Sequence, residues 1–174
     1  MALSGVFPRD LTGARYEETS TTAKFPVGTV SIDNCGGQWL YVKAAETLTV
    51  HSLCHVTNAS IILGTWKAEM TEAADLATGP KFIGLNQVAF AADDYGWIAR
   101  GPGGGLGRGI KVRAENATAG ALLHPLSGTA GAVDDANVDE GVLAGLTTLV
   151  TTTTITATEV QMSTILACNL TEVD

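Results

Sequence analysis

Three stretches of the chain carry residue types that could do chemistry. His51-Ser52-Leu53-Cys54-His55 brings two imidazoles and a thiol close together, and these are donors that zinc prefers. Successive side chains on an extended strand point to opposite faces, so His51 and His55 share one face and Cys54 takes the other. The three cannot close one tetrahedral shell. Two histidines with a distant carboxylate could still form a zinc set; the plainer reading is half-buried polar residues on a sheet. The acidic pairs Asp93-Asp94 and Asp134-Asp135 come next. Adjacent residues on an extended chain diverge, whereas general acid–base work needs convergent carboxylates, so turn formation and solvation explain both pairs. The run from Asp134 to Glu140 also misplaces the Gly and terminal Glu of a calcium-binding EF-hand loop.

The third stretch is the set of glycines between Gly101 and Gly109. It meets neither the GxGxxG nor the GxxxxGK[ST] spacing and opens no helix whose N-terminus would receive a phosphate. It reads as a turning surface loop, or as a partner contact with Arg100 and Arg108 on its shoulders. No GxSxG elbow is present, and His124, standing before Pro125, reads as a surface or interface histidine. No catalytic, cofactor or metal residue is assigned, and the chain is expected not to be an enzyme and to need no cofactor.

The elements that would position these residues are β-strands. A chain of 174 residues suits one domain. Its 16% charged and 45% hydrophobic residues exclude a largely disordered polypeptide. With 10 Lys+Arg against 18 Asp+Glu the net charge is −8, which removes the electrostatic drive toward nucleic acid or an anionic membrane. No apolar run approaches the ~20 residues of a spanning helix, and the first residues lack the basic and apolar regions of a cleaved secretion signal. Cys35, Cys54 and Cys168 contain no CxxC pair and read as reduced thiols of a cytosolic setting, with one bridge left open.

Residues 1–24 lack a sustained apolar period and read as an extended N-terminal arm; residues 25–174 read as a β-rich domain. Val27 to Ile32, an Asp33-Asn-Cys-Gly-Gly turn and Gln38 to Ala44 form a hairpin. Leu48 to Val56 is another strand, with Leu48, Val50, Ser52, Cys54 and Val56 on its core face. Ala59 to Gly79 reads as strand then helix, the helix lying near Glu72 to Ala77 after the cap at Thr71. Further strands cover Lys81 to Phe90, the region of Trp97, Ile110 to Ala114, Ala121 to Pro125, Val142 to Leu146, Thr148 to Ile155 and Val160 to Leu170. The Thr151-Thr-Thr-Thr-Ile-Thr run reads as a sheet edge. Many short strands at spacings of roughly ten residues predict an all-β fold, a single β-barrel or β-sandwich with at most one short helix.

The run Gly84-Leu-Asn-Gln-Val-Ala-Phe-Ala-Ala-Asp-Asp-Tyr-Gly-Trp-Ile-Ala-Arg-Gly, followed by Ile110-Lys-Val-Arg-Ala and Gly120-Ala-Leu-Leu, resembles small β-rich virion proteins of tailed bacteriophages, notably capsid decoration (cement) proteins. The hairpin from Val27-Gly-Thr-Val to Trp39-Leu-Tyr-Val-Lys-Ala suits the same family, so the resemblance covers about Phe25 to Gly131. It implies a protein made in the host cytoplasm that docks on the exterior of an assembled capsid, with the major capsid protein as partner. Such a protein stabilises the shell and usually forms a homo-oligomer, a trimer being favoured and a dimer open. It implies no catalytic residues and contact with neither nucleic acid nor membrane. On that reading Leu3, Val6, Phe7, Tyr16 and Phe25 offer apolar anchors to the shell, while Arg9 and Arg15 find carboxylates. Two alternatives remain: a phage tail or neck component, and a carbohydrate-binding or adhesin module using Trp39, Trp66 or Trp97 as stacking platforms.

Overall fold

A computed structural model of the chain describes residues 10–11, 14–33, 36–76, 82–104, 110–135 and 142–169. The chain begins with the minimal pair β1 (Asp10–Leu11) and β2 (Ala14–Arg15), then β3 (Val30–Ile32), β4 (Gln38–Ala44) and β5 (Leu53–Val56). Helix α1 (Asn58–Ile62), β6 (Lys67–Met70) and helix α2 (Ala73–Leu76) follow, then β7 (Phe82–Asn86), β8 (Tyr95–Ala99), β9 (Gly103–Gly104) and β10 (Lys111–Ala114). The last four strands are β11 (His124–Pro125), β12 (Ala132–Asp134), β13 (Val142–Thr148) and β14 (Thr156–Asn169).

The fold is all-β and contains a closed five-stranded barrel. Around it run β4, β6, β5, β7 and β8, and antiparallel pairing of β8 with β4 closes the ring. β4 and β6 are parallel, meeting at Lys43↔Lys67 and Ala44↔Ala68. Earlier along β4, the same side pairs with β3, through Val30↔Leu40 and Ile32↔Gln38. β3 is therefore an extension that leaves the barrel wall at one end. The second sheet has the order β11-β12-β10-β14-β13, with β9 also on β14. Its long β13–β14 hairpin shifts register between Ala144 and Leu146, where Gly145 takes φ +85°, a value that glycine accepts without a Cβ clash.

Both faces of the barrel wall are buried along most of β4, β5, β7 and β8. On β4, Leu40, Val42 and Ala44 point into the barrel with Leu48, Cys54, Val56, Phe90 and Ile98. Trp39 and Tyr41 point outward, joining Leu53, Leu85 and Trp97 against Val112, Leu146, Val160 and Met162 of the second sheet. Period-two alternation thus sorts one strand's residues into two cores.

Several local expectations change. Asn58–Ile62 is a helix instead of a strand, because Thr57, at φ −71° and ψ 149°, accepts a hydrogen bond from Ser60 N as an N-cap. Two short helices therefore stand where one was expected, α2 falling within the expected Glu72–Ala77 window. Thr148 to Ile155 is not a separate strand: β13 ends at Thr148, and the threonine run turns the chain into β14. One threonine hydroxyl steadies this turn locally and others tie it across to the 114–119 segment. Thr148 Oγ1 donates to Val150 O, while buried Thr152 accepts from Ala117 N and donates to Ala114 O. Val50, placed on the core face of its strand, is exposed, since β5 begins only at Leu53.

Candidate interaction surface

The fold separates the residues that looked capable of chemistry. Cys54 lies inside the barrel, where burial pushes its thiol up to about 12 and keeps it protonated. His55 is on the outer face of the same strand, with Nδ1 3.2 Å from Thr71 Oγ1 and Nε2 3.9 Å from a Glu69 carboxylate oxygen. His51 occupies the preceding turn at φ +62°, and burial first, then the charge of Lys111, lowers its pKa. Among the described residues no group of three or more His, Cys, Asp or Glu could hold a metal ion. The acidic pairs serve turns. Asp93 pairs with Lys43 at 2.6 Å, Asp94 accepts from Ala91 N, and Asp135 accepts from Thr118 N. His124 is buried, directly opposite Asp134 in the β11–β12 ladder, and so is not a surface residue. Gly105 to Gly109, with Arg108, lie outside the described residues; Gly103 and Gly104 pair with Met162 and Gln161.

Of the residues expected to anchor a partner, Leu3, Val6, Phe7 and Arg9 lie outside the described residues. Tyr16 and Phe25 place their rings on the protein's own core. Tyr16 stacks on Trp39 with centroids 4.6 Å apart, and Phe25 meets Tyr41 and Trp97, each at 5.4 Å. Between them, Ser20 and Tyr95 exchange backbone hydrogen bonds of 3.0 and 2.8 Å, and Lys24 N donates to the Tyr41 hydroxyl. From Tyr16 to Lys24 the leader is thus laid along the body, and Arg15 is exposed. Trp39 and Trp97 are buried and offer no platform to a sugar.

A groove of about 550 Å³ runs beside the threonine turn, lined by Thr151, Thr153, Thr154 and Thr156 with Lys111 and Glu159. The two charged residues face each other in the β10–β14 register. The lining contains no aromatic ring and no pair of convergent carboxylates.

The open end of the barrel differs in character. Ile32, Gln38 and Arg100 form a row across three strands: Ile32 is the register partner of Gln38, whose carbonyl accepts from Arg100 N at 2.9 Å. Residues opposite one another share a face, so all three point the way Leu40 and Ile98 do, toward the barrel's inner side but beyond its closure. The Arg100 guanidinium lies over the Phe82 ring, 4.7 Å from its centroid, and Phe82 meets Trp66 at 5.5 Å. Trp66 covers Gly28, where a Cβ would strike the indole and φ is +86°. Trp66 itself takes φ +44°, a conformation that costs a bulky residue free energy and tends to persist at functional sites. Its carbonyl accepts from Lys43 N.

Helix α1 belongs to this end too. It leaves β5 after Val56, the register partner of Phe82, and the chain returns at Trp66. Large apolar side chains stay in water here: Val30 is 47% exposed, Ile32 60%, Ile62 84% and Leu63 76%. Arg100 is half-buried, with no ion pair among the described residues, its Nε without a hydrogen-bond partner, and its pKa lowered by burial. Arginine, tryptophan, phenylalanine and exposed aliphatics make up the composition of an interface core. Val30 and Ile32 were hidden in a strand pattern that gives no sign of which face lies beyond the barrel's closure.

Compared with known proteins, the chain matches no family model, no curated protein and no solved structure.

Proposed function

We propose that this chain is a structural virion protein that binds the outer surface of a tailed-phage capsid and stabilises the shell. The observation that carries the reading is the set of exposed apolar side chains at one end of the barrel, Val30, Ile32, Ile62 and Leu63. A body with such a patch gains by docking, because burying apolar area contributes roughly 25 cal/mol per Å². The thiol and imidazoles of the 51–55 segment are held within the fold, which favours adhesion over catalysis. The run that resembles decoration proteins supplies β7 and β8, two walls of the barrel. The net charge of −8 suits an outer protein that does not touch the packaged DNA.

On this reading the partner is the major capsid protein, the location is the virion exterior, and the copies form a homo-oligomer. The test uses heads of the encoding phage made with the gene intact and deleted. Heads lacking the protein should release DNA at lower temperature, and adding the purified chain should restore both co-sedimentation and heat resistance. Heads that neither bind the chain nor change in stability would overturn the proposal.

A further inference from the structure

We infer that the face formed by Ile32, Gln38 and Arg100 docks a segment of another protein that offers an apolar side chain and, separated from it along the segment, a carboxylate. The inference deepens the reading above and rests on it for the partner's identity. The backbone positions of Ile32 and Arg100 are two strand-to-strand steps of about 4.8 Å each apart, from β3 through β4 to the residue after β8, and the guanidinium reaches from there over Phe82. At one end of the row, Ile32 and its neighbour on the same face, Val30, present bare aliphatic surface. At the other end stands a guanidinium whose flat face is taken by Phe82 and which has no carboxylate among the described residues. Gln38, between them, is half-exposed and can bond a peptide group.

Charge decides the occupant. Among the six side chains that frame this face, Val30, Ile32, Gln38, Trp66, Phe82 and Arg100, the one charge is positive, and a half-desolvated arginine selects a carboxylate in bidentate geometry. A second copy of this chain docking through the same face is disfavoured. Two-fold pairing would bring one Arg100 toward the other with no described acid between them. A nucleic acid is disfavoured by the net charge of −8.

The probes are synthetic nonapeptides containing one Leu and one Asp, spaced two, three or four residues apart, with matched peptides carrying Asn or Lys in place of Asp. Binding is followed by chemical-shift changes and by calorimetry on the full chain. The Asp series should shift the amides of Val30 and Ile32 and the Nε–H of Arg100. The Asn peptides, and the variant Arg100→Gln, should each weaken binding about tenfold, as loss of one charge-assisted hydrogen bond implies. Ile32→Glu should weaken it as well. That position is 60% exposed, so its melting curve should match the parent's and keep the comparison interpretable. Equal binding of Asp and Asn peptides, shifts confined to the Tyr16 region, or no shift at millimolar peptide would each overturn the inference. So would a dimer in sedimentation that Arg100→Gln dissolves.

Head binding separates this inference from the reading it rests on. Heads that bind parent, Arg100→Gln and Ile32→Glu equally would refute the docking face and leave the virion role standing. Heads that bind none, while the Asp peptides still bind at Arg100, would refute the virion role and leave the docking chemistry standing.

Discussion

Tyr16 lies flat against Trp39, ring centroids 4.6 Å apart and planes 29° from parallel. Trp39 is fully buried and holds its indole N–H on Asp33, so the leader is fastened to a buried, hydrogen-bonded position of the barrel wall. Removing the Tyr16 ring should cost about 1–2 kcal/mol, the sum of a stacked pair and part of its apolar burial. Urea unfolding of Tyr16→Ala against the parent reads this directly. Cutting the chain before Lys24 should cost more, since it also removes the Ser20–Tyr95 pair. A truncation of that length therefore tests stability together with docking.

Asp33 is buried and accepts from Gly37 N at 2.8 Å and Trp39 Nε1 at 2.9 Å. Asp33→Ala leaves both donors without these acceptors, and each buried donor so orphaned costs about 1–3 kcal/mol. The expected loss is about 2–4 kcal/mol in denaturant unfolding, with Trp fluorescence reporting a freed indole. A loss below 1 kcal/mol would mean that water replaces the carboxylate.

Burial lowers the pKa of His51 below its ordinary value of 6.5, with the Lys111 charge adding to the effect. The folded state therefore binds this proton less readily than the unfolded chain, so stability falls as pH drops below about 6.5. His51→Asn removes the titration and tolerates φ +62°. The variant should show a shallower loss of melting temperature from pH 7 to 5, and the His51 ring in the parent should titrate below 6.5 by NMR.

The Cys54 thiol, pushed up to about 12, should not react with thiol reagents in the folded protein. A Cys35→Ser/Cys168→Ser double variant should react only on unfolding. The sign at high pH follows from the same shift. The unfolded thiol ionises near 9 while the folded one holds its proton, so stability declines from pH 9 upward. Cys54→Ala should flatten that decline.

The β character, the β3–β4 hairpin and the α2 region are legible in the sequence because each rests on local signals: β-branched runs, an Asp-to-Gly turn and a capped acidic first turn. What resists reading is non-local. Barrel closure pairs Tyr41 with Trp97 and Lys43 with Lys67, and nothing in either segment announces its partner. Helix α1 was read as strand because Ile61, Leu63 and Thr65 alternate, while the N-cap at Thr57 shows only in the structure. The threonine run carries β-propensity, yet Thr151 and Thr152 accept from Ala119 N and Ala117 N, partners far away in sequence, and the run turns. At this end, Arg100 drew notice as a loop shoulder and Trp66 as a candidate stacking platform. Their relation appears only when Phe82 comes between them.

The central claim is that this barrel acts by adhering to a protein shell. Electron cryomicroscopy of heads with and without the chain tests it most directly. The account predicts density on the outer capsid surface, absent from the gene-deleted particles, that accepts the barrel with Ile32 and Arg100 turned toward the shell. Density on the tail or neck, or identical maps from both particles, would contradict it.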